Sequence, residues 1–470
     1  MRVHDRIYGI ETEFAAMIRK ANGKFESGDT ITKAEYFAYL KRCRSVLFTD
    51  QHEGRSWHIN GSLVYVDFNE HPEHATAECR SVRDAVAGFK AGELIASEIF
   101  GGLLARNDSR LVLFKNNLAR DHKGTVTTFG CHDNYSRSQS LTAVGFQESL
   151  IPFLVTRQIL DGAGTWDDDG NFILSQRAGM IEHIMGGIAT SERPIIQGKA
   201  TPDTGSRIHL VLGDSNILEA ACYLKVGTTA LVLALMDGGH APTISYEEPV
   251  QSLHDIATSA DPHARVFRLR NRDVMSALEV QYMYFQQARR YLPDADYDSE
   301  DTREEFMDII ALWGAALEAI ANHDREWMLG RLDYATKKYL FDRQIERAAP
   351  SYEQGCEMRK NIDILYHNVS DRSLQERMNK HWASRRILSD EEIMRAKHAP
   401  PAGTRAQLRA QFVASMLASG KGRKCAIAWN YVLYTEEKLV ERFWLHDPFE
   451  TGSDVFDAYL KKIGIFKNGA

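Results

Sequence analysis

The sequence predicts a protein whose strands and helices are separated along the chain, with a sheet-rich first part and a helical second part. Up to about residue 215, short apolar runs alternate with Gly, Asn and Asp, which is typical of strands and turns. From about 218 to 380, helical periodicity dominates. The pattern breaks at residues 399–403, and 470 residues exceed one typical domain. We therefore expect a large domain over 1–398 and a small C-terminal domain over 399–470.

Single elements follow from local patterns. Residues 7–10, 111–114 and 208–212 are mainly apolar runs that predict strands. An amphipathic helix is predicted by apolar residues at i, i+3, i+4 and i+7 spacing, namely Phe306, Ile309, Ile310, Trp313, Leu317 and Ile320. The acidic stretch 293–305 predicts an exposed loop before that helix, with Thr302 as the N-cap.

Composition indicates an ordinary globular protein, with 44% hydrophobic and 26% charged residues. No segment has the roughly 18 uncharged apolar residues that a membrane span needs, and the first residues lack the pattern of a secretory signal. Six scattered cysteines without a C-x-x-C pair predict reduced thiols. We expect a cytoplasmic protein without a membrane partner.

Charge is unevenly distributed along the chain. Residues 355–425 contain 14 Lys/Arg and 7 Asp/Glu, so this segment carries +7 while the other residues carry −14. Such a segment favours an acidic protein partner, although a solvated charged surface is the alternative. Nucleic acid is disfavoured, because the whole chain has a net charge of −7 and no recognised binding motif.

Polar side chains at period two mark one face of three predicted strands. The pairs are Glu11 with Glu13, Tyr65 with Asp67, and Arg207 with His209. The apolar residues around Asp67, including Val66 and Phe68, are predicted to face the core. Three strands would thus offer their carboxylates, a phenol, an imidazole and a guanidinium to a common surface.

Crowded carboxylates repel each other unless a cation is bound, and Mg²⁺ and Mn²⁺ prefer oxygen ligands. The pattern therefore predicts a metal–nucleotide site, with a solvated acidic face as the alternative. Residues 71–78 add carboxylates and imidazoles, and His132 and His209 are candidate further ligands. No phosphate-binding loop or dinucleotide glycine fingerprint is present, so metals and arginines would have to hold the phosphates of ATP.

These residues belong to a series of motifs that runs through nearly the whole chain. The series comprises G-I-E-T-E-F (9–14), Y-V-D (65–67), H-P-E-H-A-T-A-E-C (71–79), L-F-K-N-N (113–117), G-C-H-D-N-Y (130–135), I-P-F-L-V-T-R-Q (151–158), L-S-Q-R-A (174–178), R-P-I-I (193–196), L-V-L-G-D-S-N (210–216), L-K-V-G-T (224–228), T-R-A-Q-L-R (404–409) and D-P-F (447–449). In this order the motifs resemble the family of the Pup ligase and the Pup deamidase/depupylase. Pup is the prokaryotic ubiquitin-like protein.

The resemblance implies an α+β, glutamine-synthetase-like fold, with a curved and mainly antiparallel sheet packed by helices. It implies an ATP- and Mg²⁺-dependent ligase that joins the C-terminal glutamate of an acidic Pup-like modifier to lysines of target proteins. Asp67 matches the catalytic aspartate. The implied metal ligands are Glu11, Tyr65 and Glu73, with Glu13, His132 and His209 as additions. The implied nucleotide contacts are Thr76 and Trp429, to which we add Arg207.

Two positions depart from the family pattern. Leu63 stands where the family usually has an ATP-binding arginine, so one phosphate contact is missing or supplied elsewhere. Asp133 replaces a glutamate and shortens that side chain by one methylene. Both departures indicate a divergent member and leave its partner open.

Three alternatives to the ligase are open. An isopeptidase or deamidase would use the same aspartate, but such relatives carry an inserted loop, whereas the interval from Glu13 to Asp67 is as short as in ligases. A small-molecule γ-glutamyl ligase would need no protein modifier, and the basic segment 355–425 favours a protein. A catalytically inactive binding protein is disfavoured by the intact carboxylate set.

Overall fold

The computed structural model describes residues 1–28, 31–49, 54–67, 69–103, 109–120, 126–137, 143–167, 169–198, 207–348, 351–436, 439–452 and 454–465. The chain forms two compact units. Unit 1 contains Met1–Arg6, Asn116–Asn368 and Arg372–Ile387. Unit 2 contains Ile7–Lys115, Val369–Asp371 and Leu388–Ala470. Phe68, which was predicted to face the core, lies outside the described residues.

Unit 2 combines strands and helices from both ends of the chain. Its elements are β2 (Tyr8–Glu13), β3 (Ala15–Arg19), β4 (Phe25–Ser27), α1 (Lys33–Leu40), β5 (Val46–Phe48), β6 (Ser56–His58), β7 (Leu63–Val66), β8 (Pro72–Ala75), α2 (Val82–Gly101), β9 (Arg110–Phe114), α14 (Asp390–His398), α15 (Ala406–Ser419), β21 (Cys425–Ala428), β22 (Tyr431–Glu436), β23 (Leu439–Trp444) and α16 (Asp454–Lys462). Five strands pair antiparallel in the order β2, β8, β7, β6, β5. Separate antiparallel sheets are formed by β4, β3 and β9 and by β21, β22 and β23.

Helix α2 covers one face of the five strands. Val64 and Val66 of β7 share a hydrophobic core with Ile95 and Ile99 of α2. Because side chains alternate along a strand, the neighbouring residue Tyr65 faces away from α2. Because α2 covers one face of the strands, the side chains that can take part in chemistry are those on the opposite face, such as Tyr65.

The C-terminal residues pack on the same strands. Phe412 of α15, Val432 of β22 and Tyr459 of α16 share a hydrophobic core with Trp57 and Leu63. The predicted domain division between residues 398 and 399 stays a prediction; in the structure, residues on both sides of it belong to unit 2.

Unit 1 contains most of the helices. Its elements are β1 (Arg2–Val3), β10 (Leu118–Arg120), β11 (Val126–Thr128), β12 (Cys131–Ser136), α3 (Ala143–Thr156), α4 (Gln158–Asp161), β13 (Thr165–Trp166), β14 (Phe172–Ile173), β15 (His183–Gly186), α5 (Ala189–Glu192), β16 (Pro194–Gln197), β17 (Arg207–Leu210), α6 (Glu219–Asp237), α7 (Pro249–Ser259), β18 (Arg265–Arg268), β19 (Val274–Ser276), α8 (Ala277–Tyr291), β20 (Asp296–Tyr297), α9 (Glu300–Ala321), α10 (Arg325–Met328), α11 (Asp333–Ala348), α12 (Tyr352–Tyr366) and α13 (Ser373–His381). Four strands pair in the order β15, β16, β17, β12, and only β15 and β16 are parallel.

Helix α6 forms the centre of unit 1, where it packs against α3, α8 and α9. Among the described residues it has the length and composition of a membrane span, but 94% of its apolar window is buried inside the protein. The predicted amphipathic helix is confirmed as α9. Its predicted N-cap is wrong: Ser299 is the cap and accepts a hydrogen bond from the main-chain N–H of Thr302. The helix begins three residues earlier because Glu300 and Asp301 extend the favourable acidic first turn.

Candidate active site

Three strands of unit 2 align acidic and phenolic side chains in one row. In the antiparallel register, Glu13 of β2 lies opposite Glu73 of β8, and Glu73 lies opposite Tyr65 of β7. Residues that lie opposite each other share a face, so these three groups stand side by side. The next row runs from Glu11 through Ala75 to Leu63. The predicted alternation of Glu11 with Glu13 therefore places both carboxylates on the face that carries Glu73 and Tyr65.

The two carboxylates of the row are buried, and their electrostatics are unfavourable without a cation. Glu13 and Glu73 are 8% and 4% exposed. Burial and the nearby charges of Glu13 and Glu11 raise the pKa of Glu73 well above its ordinary value. Burial and the same carboxylates raise the pKa of Tyr65. Such a group of oxygen donors gains most from a bound divalent cation.

Asp67 lies just after β7, in a turn closed by His71. The main-chain N–H of His71 donates to Oδ1 of Asp67 at 2.6 Å, and the N–H of Asp67 donates to the carbonyl of His71 at 2.9 Å. Nδ1 of His71 lies 3.4 Å from Asp67 Oδ2 and 3.5 Å from Glu13 Oε2. Burial opposes protonation, but Asp67 and Glu13 raise the pKa of His71 to about 9.

Glu13, Asp67 and His71 each offer a ligand atom, and these atoms lie within 4.8 Å of one another. Sequence reasoning did not single out His71. The sequence feature that could have indicated His71 is the H-P-E-H motif. Its first residue lies four positions after Asp67, a spacing that a tight turn can bridge.

Thr76 and Trp429, the two nucleotide contacts that the resemblance implies, lie in different surroundings. Oγ1 of Thr76 accepts a hydrogen bond from the main-chain N–H of Ile10 at 3.0 Å. A Cβ on Gly88 of α2 would lie 3.3 Å from the Thr76 side chain. The Thr76 side chain therefore faces α2, opposite to the carboxylate row. Trp429 follows β21 and contacts Trp57, with ring centroids 4.9 Å apart.

Unit 1 brings together the other three predicted site residues. The rings of His132 and His209 lie 5.0 Å apart on the paired strands β12 and β17. A guanidinium nitrogen of Arg207 lies 3.3 Å from Nδ1 of His209. The predicted polar face of Arg207 and His209 therefore also carries His132.

Asp133, the shortened acidic residue, faces the interior of unit 1. It is fully buried and bonded to Arg157 at 2.8 and 3.3 Å, and it accepts the hydroxyl of Tyr135 at 2.7 Å. Burial opposes ionisation, but Arg157 holds the pKa of Asp133 below its usual range. The shortening therefore concerns a buried ion pair of unit 1.

The residues of the basic segment 355–425 are divided between the two units. Arg386 is bonded to Glu219 at 2.8 Å, and Arg385 donates to the carbonyls of Glu326 and Leu329. Arg405 and Arg409 both bind the buried carboxylate of Glu78. A part of the predicted positive charge is thus neutralised inside the units.

Comparisons with known proteins agree with this fold. The profile of the Pup-ligase family, described as Pup-ligase protein, matches residues 6–433. A Pup–protein ligase of Renibacterium salmoninarum is 34% identical over 98% of both chains. One of Acidimicrobium ferrooxidans is 33% identical over 98% of this chain and all of that protein.

Two solved structures are similar over most of their length. A complex between Pup and its ligase PafA matches with a TM-score of 0.83 and 26% identity, covering 98% of this chain and 92% of that one. PafA in complex with ADP matches with a TM-score of 0.77 and 28% identity, covering 88% and 91%. These matches define the class of the protein as an α+β ligase and confirm the predicted fold class. The chain belongs to the Pup-ligase family.

Proposed function

We propose that this chain is an ATP-dependent ligase that joins the side-chain carboxylate of the C-terminal glutamate of Pup to a lysine of a target protein. The observation that carries the proposal is the row of buried carboxylates beside Asp67, in a member of the Pup-ligase family. The relatives named Pup–protein ligase and the PafA structures with Pup and with ADP support the acidic modifier and the nucleotide. A cytoplasmic location, where ATP is available, completes the proposal.

Magnesium fits the donor set on this face. Glu11, Glu13, Glu73 and Tyr65 offer only oxygen atoms. Burial and the charges of Glu13 and Glu11 raise the pKa of Glu73, an effect that a divalent cation would offset. We assign Glu11, Tyr65 and Glu73 as ligands, with Glu13 as an additional ligand. When bound, Mg²⁺ neutralises charge on the transferring phosphoryl group.

The other assignments of ligands and contacts stay predictions. They are His132 and His209 as further ligands, and Thr76, Trp429 and Arg207 as nucleotide contacts.

The proposed reaction has two steps. The γ-phosphate of ATP is transferred to the glutamate carboxylate of the modifier, which yields ADP and a γ-glutamyl phosphate. The lysine amine then attacks the acyl carbon, phosphate leaves, and an isopeptide bond forms. An amine cannot attack while it is protonated, so the second step needs a base. Asp67 supplies it, held in orientation by the main-chain N–H of His71.

The substitution Asp67→Asn tests this role because it keeps the shape of the side chain and removes its negative charge. We expect conjugation to lysine to fall by roughly 10²–10⁴-fold, the usual effect of losing a general base. Formation of the acyl phosphate should persist. The measurement is a gel shift for conjugation, with trapping of the acyl phosphate by hydroxylamine, a nucleophile that is already unprotonated at neutral pH.

Glu73→Gln is the matched comparison, since it removes one charge from the carboxylate row and should impair both hydroxamate formation and conjugation. Near-wild-type conjugation by the Asp67→Asn variant would remove Asp67 from the mechanism. If the wild-type protein cleaves a preformed conjugate and never ligates, the isopeptidase alternative is correct.

A further inference from the structure

Arg409 of α15 uses all of its donor nitrogens within unit 2. Nε and one terminal nitrogen donate to the carbonyl of Gly61 at 3.2 and 3.1 Å. The other terminal nitrogen donates to Glu78 Oε1 at 3.2 Å and to the carbonyl of Trp429 at 3.1 Å. A further bond joins the guanidinium to Glu78 Oε2. Arg409 is 0% exposed, so it cannot also serve as the phosphate contact missing at Leu63.

The guanidinium also lies against two indole rings. Its central carbon is 4.8 Å from the ring centroid of Trp57 and 4.8 Å from that of Trp429. Stacking of a guanidinium on indoles is favourable and fixes the orientation of the rings. Trp57 is fully buried, whereas Trp429 is only half-buried and thus keeps an accessible surface.

Trp429 lies in the two-residue turn between β21 and β22. Its side chain is partly buried and packs against the hydrophobic core that contains Trp57, so the contacts with Trp57 and Arg409 set its position. Gly61, the other carbonyl partner of Arg409, has a φ of 80°, and a Cβ there would lie 2.9 Å from the carbonyl of Ala406. The Gly61 turn and α15 are thus in close contact, which brings the carbonyl of Gly61 to the guanidinium.

We infer that Arg409 is a positioning residue that holds the indole of Trp429 in place for the nucleotide, with its own guanidinium fixed by Glu78, Gly61 and Trp57. The inference rests on the proposed function, in which Trp429 contacts the nucleotide. It explains why T-R-A-Q-L-R and H-A-T-A-E-C, separated by more than 300 residues, meet at Glu78, whose carboxylate binds Arg405 and Arg409 and whose main-chain carbonyl accepts the hydroxyl of Thr404.

Arg409→Lys tests the inference because lysine keeps the charge but lacks the planar fork. We expect the Kd for ADP with Mg²⁺, measured by calorimetry, to rise about tenfold. The kcat for hydroxamate formation at saturating ATP should stay within about twofold, because Arg409 does not touch the reacting groups. Arg405→Lys is the matched control: Arg405 binds the same Glu78 at 2.9 Å, but it donates to the carbonyl of Leu445 and not to that of Trp429, so ADP affinity should not change.

The following variants distinguish the positioning role of Arg409 from the nucleotide contact of Trp429. If Trp429→Ala binds ADP weakly but a folded Arg409→Lys variant has wild-type ADP affinity, the positioning role of Arg409 is overturned. Wild-type affinity in Trp429→Ala overturns the nucleotide contact and this inference together. If Arg409 acts through Trp429, adding Arg409→Lys to Trp429→Ala should cause no further loss. Should Arg409→Lys fail to fold, Trp57→Leu decides: it removes one stacking ring, and wild-type ADP affinity in that variant overturns the inference.

Discussion

His74 lies next to Glu73 in β8 but on the opposite face, against α2. A Cβ on Gly92 would lie 2.3 Å from its Nδ1, and its Nε2 has no hydrogen-bond partner among the residues that the structure describes. Burial and the proximity of His58 lower the pKa of His74 to about 3. The imidazole is therefore a neutral core group, and its role is structural.

We predict that His74 makes the protein sensitive to mild acid. The unfolded chain binds a proton at His74 near pH 6.5, whereas the folded chain does so only near pH 3. The free energy of unfolding should therefore be highest above pH 6.5 and fall by up to about 1.4 kcal/mol per pH unit below it. Urea denaturation at pH 7.5 and 5.5 measures the slope. His74→Gln should flatten it, while His183→Gln, at an exposed position, should leave it unchanged.

At the scale of elements, helix α2 approaches β8 closely through its glycines. Gly92 faces the His74 ring, and Gly88 faces Thr76. A helix interior normally favours alanine over glycine by about 1 kcal/mol. These glycines are used despite their low helix propensity, because a side chain at either position would press on the strand that carries Glu73.

Gly92→Ala should consequently destabilise the protein by about 2 kcal/mol, since the imidazole is rigid and cannot move aside without repacking. Gly355→Ala is the control in another helix: the nearest atom to a Cβ there is 3.9 Å away, so alanine should be neutral or stabilise by up to about 1 kcal/mol. Denaturant midpoints of the two variants provide the measurement. Equal effects of both substitutions would contradict the close packing of α2 on β8.

At the scale of the whole molecule, ion pairs and hydrogen bonds within a unit engage basic residues of the segment 355–425 that the sequence alone left available to a partner. Arg385 and Arg386 are only 15% and 17% exposed and are bonded within unit 1, so reversing their charge would destabilise the unit. Arg377 and Lys380 of α13 are exposed in the same basic segment. They are the better probes of an acidic partner.

Reversing both charges, as Arg377→Glu with Lys380→Glu, should slow association with Pup by roughly three- to tenfold at low salt. The wild-type association rate should also fall as salt rises, because screening shortens the reach of surface charge. Stopped-flow fluorescence measures both rates. Arg289→Glu with Arg290→Glu, an exposed pair on α8, is the control and should have little effect. A salt-independent rate that the α13 reversal does not change would place docking elsewhere.

The sequence by itself determined the local features of this protein. The period-two faces of Glu11 with Glu13 and of Tyr65 with Asp67, and the periodicity of α9, depend on residues within a few positions of each other. Family membership was determined in the same way, because motif order is a property of the sequence alone. The N-cap of α9 was mispredicted, since several residues before the helix could serve as caps and local sequence does not choose among them.

Only the tertiary structure decided which of these groups meet. The strand register sets Glu73 between Glu13 and Tyr65, and no local pattern contains that register. Asp133 forms a buried ion pair with Arg157, and the charge of Arg409 is neutralised by Glu78 and is not available to a partner. These outcomes depend on contacts between residues far apart in the chain, where burial and hydrogen-bond geometry determine which charges are paired and which remain available.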